Sequence, residues 1–265
     1  MRRIAVSLIA LMLVSGAVRA QSIFPRDASE NVAIEQRTGE PIPMDLEFVD
    51  DSGRIVRLGD YFGDKPVVLT PVYYSCPMLC NLILDGMVRT ASDLRFDIGD
   101  QYEVVTFSFD HRETTEMARA KKDLYTRRYG REGVEKGWHF LTADQPTIRS
   151  LMDAIGFRFG YDQTLDQYAH PAGIVVVTPD GKISRYFYGF EFSSRDLRLG
   201  LVEAGEGKVG SPVDQVLLLC YSYDPATGKY SRVAMDAVRV GGTVTAVGVF
   251  GFIFFMIRRE VKGRH

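Results

Sequence analysis

The sequence predicts an α/β domain, a central sheet flanked by helices, followed by a C-terminal transmembrane helix. Three observations carry this expectation. Strand-like apolar runs alternate with helically spaced segments across residues 46–204. The last two strand runs are joined by Pro179-Asp180-Gly181-Lys182, a turn sequence. Further on, Val240 to Ile257 runs uncharged for 18 residues, the lower edge of what crosses a bilayer core as a helix.

Taken in order, residues 1–20 read as a signal peptide. Arg2 and Arg3 precede the apolar run Ile4 to Val14, and Val18-Arg19-Ala20 offers a cleavage site before Gln21. Residues 21–45 are polar, lack a period and read as a flexible leader. Leu46 to Tyr61 alternates around Asp51-Ser52-Gly53, a hairpin signal. Val67 to Val72 is a buried strand candidate that runs into Tyr73-Tyr74-Ser75-Cys76. Leu79, Leu82, Ile83, Met87 and Leu94 have helical spacing, which predicts a helix from Met78 to about Leu94. A second strand covers Tyr102 to Phe109, and a polar helix Glu113 to Tyr129. Trp138 to Leu141 is a short strand or extended piece. Pro146 to Ile155 is a helix, with Pro146 at its first position and Gly156 as its stop. Strands follow at Gly173–Thr178 and Ile183–Tyr188, then a closing helix from Ser193, its cap, to Ala204. A sheet that ends in a hairpin and a helix is what a thioredoxin-like domain presents, and residues 46–204 are assigned to it.

Residues 205–239 read as a linker. It is rich in glycine at first and then holds an apolar strand, Val216 to Tyr223, with Cys220, and a turn at Asp224–Lys229. After the span at 240–257, Arg258, Arg259, Lys262 and Arg264 mark residues 258–265 as a cytoplasmic tail by the positive-inside rule. A cleaved signal and a C-terminal anchor agree on one topology. The domain faces the periplasm, tethered to the inner membrane, where disulfides are permitted.

Composition excludes some classes. A formal net charge of −2 gives no footprint for nucleic acid. Three cysteines are too few for a disulfide scaffold. Cys76 and Cys80, placed where a strand enters a helix, read instead as a site. Residues four apart share one helix face, and a helix N-terminus favours the thiolate that binds metal or attacks a disulfide. Soft thiolates select Cu(I), zinc or an iron–sulfur cluster, and two ligands call for a third. His265 falls in the tail, His139 follows Trp138 in an apolar run, and His111 ends a strand. His170 lies in the loop entering the strand Ile174 to Val177, which in a thioredoxin-like fold abuts the helix start. An S, S, N set suits copper, whereas a structural zinc site takes four ligands. Met78, between the thiols, could offer a thioether or simply pack. Cys220, beside Leu217-Leu218-Leu219, reads as a buried small hydrophobe or a third thiol.

From about Leu46 to Ala204 the chain resembles the Sco/SenC family, thioredoxin-fold proteins that supply copper to cytochrome c oxidase. The resemblance rests on Cys76-Pro77-Met78-Leu79-Cys80 after a strand, Ser108-Phe109-Asp110 at a strand end, His170 before a strand, and Thr178-Pro179-Asp180-Gly181-Lys182. It implies copper ligands at Cys76, Cys80 and His170, and a part for Asp110 in partner or metal handling. Without the resemblance, Asp110 reads as a strand end or a cap of the following helix. Two functions follow. One is a copper metallochaperone whose partners are an oxidase subunit carrying a copper site and other periplasmic copper carriers. The other is a thiol–disulfide reductase in which Cys76 attacks and Cys80 resolves, reduced in turn by other periplasmic thiol proteins. A peroxiredoxin-type peroxidase is disfavoured, since Leu69 and Tyr73 stand where that family needs Pro and Thr. Two features depart from the family pattern. His111-Arg112-Glu113-Thr114-Thr115 replaces a second Asp followed by Thr-Pro, and the anchor is C-terminal, where many relatives have it N-terminal.

Overall fold

The computed structural model describes residues 32–209, with short pieces at 223–224, 229–230, 242–243, 245 and 248–249. Strand β1 is Ala33–Ile34, β2 is Glu47–Asp50 and β3 is Ile55–Arg57; β4 is Val67–Val72 and helix α1 is Leu79–Asp93. Then come β5 (Glu103–Ser108), α2 (Thr115–Tyr129), α3 (Val134–Gly137), β6 (Trp138–Thr142) and α4 (Gln145–Ala154). Two short strands, β7 (Phe157–Arg158) and β8 (Gly160–Asp162), lead to β9 (Gln167–Ala169), β10 (Gly173–Val177), β11 (Ile183–Tyr188) and α5 (Ser194–Gly205).

The main sheet has seven strands in the order β11-β10-β4-β5-β6-β2-β3. β4, β5 and β6 run parallel, and antiparallel strands complete both edges. Every residue of β4 is buried, so its continuous apolar run reflects cover on both faces. α1 touches both α2 and α5. Its Ile83, Leu84, Met87 and Ala91 join β4 and β5 in one core with Trp138 and Phe140. Gly86 lets the chain at Phe190 press on α1, because a Cβ there would meet the Phe190 carbonyl oxygen at 1.9 Å. This is the thioredoxin-like architecture that the sequence predicts, a mixed sheet flanked by helices.

Several details differ from the expectation. Residues 32–45 of the expected flexible leader are docked. β1 pairs with β7, Pro41 bridges Lys182, and Ile42 is buried. The partners lie far along the chain, which a local reading of this unpatterned stretch does not find. The short strand expected at Trp138 to Leu141 is present as β6, with Trp138 wholly buried and its indole N–H on Thr106 Oγ1 at 2.9 Å. α2 starts at Thr115, capped by the Thr114 hydroxyl, two residues later than expected. That excludes Asp110 as the cap. In α4 the cap is Asp144, which puts Pro146 at the second helical position rather than the first. The loop before His170 contains the hairpin β8–β9, and Ser193 caps α5 as expected.

Beyond α5, Tyr223–Asp224 pairs with Lys229–Tyr230 around the expected turn. The expected signal peptide, residues 21–31, Cys220 and the expected tail lie outside the described residues, as does most of the expected span at 240–257. Among the described residues no helix is long and apolar enough to cross a membrane.

Candidate metal centre

The site forms where β4 gives way to α1. After Val72 the chain turns back, with the Cys76 N–H donating to the Tyr73 carbonyl at 3.3 Å. No side-chain oxygen caps α1. Instead Cys76 Sγ accepts the Cys80 N–H at 3.3 Å, so a sulfur takes up one of the free amides at the helix start. The Tyr73 N–H points at Cys80 Sγ, also at 3.3 Å. Both sulfurs thus face backbone donors, the setting that stabilises thiolates. Cys76 and Cys80 are buried and unbridged.

His170 arrives on the opposite side, one residue past β9. Its Nε2 lies 3.4 Å from Cys80 Sγ, and its Nδ1 is 3.0 Å from the Pro171 carbonyl. A carbonyl only accepts, so Nδ1 carries a proton, and Nε2 is the ring atom that faces the sulfurs. A metal-binding imidazole is oriented in the same way, its second nitrogen donating to an oxygen. The rings of Phe109 and Tyr73 lie 5.1 and 5.8 Å from the imidazole and hold it from the side. The two sulfurs and a ring nitrogen fall within 4.8 Å of one another. An ion about 2.3 Å from each sulfur and about 2.0 Å from nitrogen fits inside such a triangle, so the residues present suit a soft, low-coordinate cation.

The two thiols are electrostatically unequal. The hydrogen bond from the Cys80 thiol pulls the Cys76 pKa well down against its burial, and His170 adds to this. Burial pushes Cys80 up, and the Cys76 charge pushes it further. Cys76 is therefore the more acidic thiol of the pair and Cys80 the less acidic one.

Of the other expected residues, none joins the cluster. Asp110 is buried, and the Arg112 guanidinium holds it bidentately at 2.9 and 2.7 Å. Burial raises the Asp110 pKa, but those bonds and the Arg112 charge bring it below the usual range. Arg112 also reaches Asp166 at 3.0 Å, which ties the strand end to the hairpin before His170. His111 is exposed. His139 bonds Glu103 at 3.0 Å and lies against Tyr61. Met78 is 64% exposed at the N-cap of α1.

Three residues escaped the sequence reading. Glu113 is buried and accepts the N–H groups of Tyr74 and Ser75, each at 2.6 Å, and the Ser108 hydroxyl at 2.5 Å. Asn81 donates to the Cys76 carbonyl at 3.0 Å and is held in turn by Lys121 at 2.6 Å. No spacing announces these contacts. The one available signal is Glu113 standing directly before a good helix cap.

A thioredoxin-like domain with Cys-x3-Cys at the strand-to-helix turn and a facing histidine defines a thiol-based metal or redox protein. A profile of the SCO1/SenC family matches residues 34–198, and the chain belongs to that family. Among solved structures, a candidate electron transfer protein from Aquifex aeolicus VF5 is 30% identical with a TM-score of 0.56, the match covering 64% of this chain and 95% of that one. A SCO1/SenC family lipoprotein from Bacillus anthracis str. Ames shares the fold at 15% identity and a TM-score of 0.52, over 65% of this chain and 99% of its own. Arabidopsis thaliana ScoI, solved with copper bound, aligns at 17% identity and a TM-score of 0.49, over 64% and 99%. Curated protein sequences give no match.

Proposed function

We propose that this protein binds one copper ion through Cys76, Cys80 and His170 and passes it to a copper-bearing subunit of cytochrome c oxidase during assembly. The observation that carries the reading is the S, S, N triangle within 4.8 Å. Two thiolates suit Cu(I), the imidazole also accommodates Cu(II), and three donors leave a position for an incoming ligand. Membership of the SCO1/SenC family supports oxidase assembly as the setting. Transfer by ligand exchange needs no turnover chemistry. The apolar run at 240–257 and the leading Arg-rich signal support a periplasmic domain on a membrane tether. Its partners there are the oxidase subunit, copper carriers and thiol reductants.

The unequal thiols favour a second reading, a thiol–disulfide reductase. The Cys76 thiolate would attack a target disulfide, forming a mixed disulfide and releasing one target thiolate. Cys80, once deprotonated, would then attack Cys76 Sγ and release the second, so two electrons leave this chain as its own disulfide forms.

Metal content decides between them. The reduced full-length chain is loaded with Cu(I) or Cu(II), desalted and compared with Cys76→Ser and His170→Ala. One copper per chain, lost or weakened in both variants, supports the carrier. No retained copper, with a Cys76–Cys80 disulfide that equilibrates with glutathione, sinks the carrier reading.

A further inference from the structure

We propose that Glu113 is the positioning residue of this site, holding the thiol-bearing turn in its ligand geometry from beneath. The inference rests on the copper reading for its metal arm only. Glu113 touches neither sulfur nor His170 in any hydrogen bond. Its two oxygens take three donors. Oε1 accepts from Ser75 N–H, and Oε2 from Tyr74 N–H and Ser108 Oγ. The two amides immediately precede Cys76 and the hydroxyl ends β5, so the carboxylate joins the turn to the neighbouring parallel strand. Tyr74 and Ser75 lie beyond the β4–β5 ladder, which ends at Val72↔Ser108. Their N–H groups therefore take this carboxylate as partner where the ladder has run out.

The other flank of the turn is held separately. Asn81, fixed by Lys121 from α2, donates to the Cys76 carbonyl. Glu113 acts before Cys76 and Asn81 after it, and both depend on the segment from β5 into α2. A ligand orientation fixed by outer partners is worth about 10–100-fold in metal affinity. Hydrogen bonds to a carboxylate acceptor are the stronger class. Thr114 caps α2, and Glu113 stands just before that cap. Glu113 is turned back beneath the thiols.

The test uses the reduced full-length chain with Glu113→Gln, which keeps the size but turns one acceptor into a donor facing a donor. Ser108→Ala, which removes one of the three bonds and leaves the carboxylate, is the second variant. Three readouts are taken: circular dichroism for folding, the rate of thiol alkylation without metal, and Cu(II) affinity with its visible and electron paramagnetic resonance spectrum. The expectation for Glu113→Gln is a folded protein, faster alkylation, an altered Cu(II) spectrum and roughly tenfold weaker copper binding. Ser108→Ala moves each readout the same way by less. A folded Glu113→Gln chain with wild-type alkylation rate and spectrum overturns the proposal and leaves Glu113 a structural acid only. If Glu113→Gln does not fold, Ser108→Ala decides: a wild-type spectrum and alkylation rate in that variant overturn it too. Should the wild-type chain bind no copper, the carrier reading falls by itself, and the alkylation rates still decide the role of Glu113.

Discussion

His170 offers Nε2 to the sulfurs because Nδ1 is committed to the Pro171 carbonyl 3.0 Å away. That commitment leaves Nε2 as the ring atom open to a metal and makes the ring a ready third donor. Its removal should cost the two copper states unequally. Cu(I) is satisfied by two thiolates, whereas Cu(II) leans on nitrogen. His170→Ala is expected to lower Cu(II) affinity by at least about tenfold, in the range found for orienting groups, and Cu(I) affinity by less. Competition with ion-selective chelators measures both, and equal binding of both ions by variant and wild type would refute the three-donor site. Cys76→Ser and Cys80→Ser should each abolish tight Cu(I) binding in the same assay. At this scale the sequence was informative about chemistry and silent about support. Cys76, Cys80 and His170 stand out because rare residue types fall at telling positions. Glu113, Asn81 and Lys121 are ordinary surface-type residues whose place at the turn depends on long-range contacts between the β5–α2 segment and the start of α1, and no local pattern encodes those.

The elements that were legible are those whose signals are local. β4 reads as a continuous apolar run, α1 as a 3.6-residue spacing, and the β10–β11 hairpin as a turn sequence between a β-branched run and an aromatic-rich one. β8 and β9, three residues each, are too short to show a period, although they deliver His170. Two element-scale predictions follow from packing and charge. Gly86→Ala places a Cβ against the Phe190 carbonyl and should destabilise the fold by about 1–3 kcal/mol, as overpacking does; thermal melting reads it. In the β2–β3 hairpin, Asp50 is buried and accepts from Ser52 N–H and hydroxyl and from Arg54 N–H and guanidinium. Burial raises its pKa, but these bonds prevail and hold it at about 2, against an ordinary 3.8. Because the folded value is the lower one, the unfolded chain binds the proton first. The stabilisation is therefore complete above 3.8 and is lost as pH falls toward 2. Asp50→Asn should remove that acid step from a titration followed by near-ultraviolet circular dichroism, and an unchanged profile would place the acid sensitivity elsewhere.

Across the whole molecule, the segment from Val32 to Met44 acts as a strap that a reading by local pattern assigns to a loose leader. It pairs β1 with β7 and sends Glu35 N–H to the Gly156 carbonyl at 2.8 Å. It then crosses to the far hairpin, where Gly39 N–H meets Ile183 O, Ile183 N–H meets Glu40 O, and Ile42 N–H meets Gly181 O. Two glycines mark its path. A Cβ on Gly156 would strike the Glu35 carbonyl at 1.9 Å, and one on Gly173 would meet Ile34 Cδ1 at 3.2 Å. Gly173 opens the strand that follows His170, so the strap closes over the edge of the sheet on which the site depends. A chain beginning at Pro43 loses the β1–β7 pairing, four further long-range backbone bonds and the buried side chains of Val32 and Ile42. Its melting temperature should fall by several degrees, about 2–4 °C for each kcal/mol lost in a domain of this size, while copper at saturation stays at one ion per chain because no ligand is removed. Melting as in the full chain would mean that the strap is dispensable. A loss of copper stoichiometry in a chain that still folds would mean that it also holds the His170 loop.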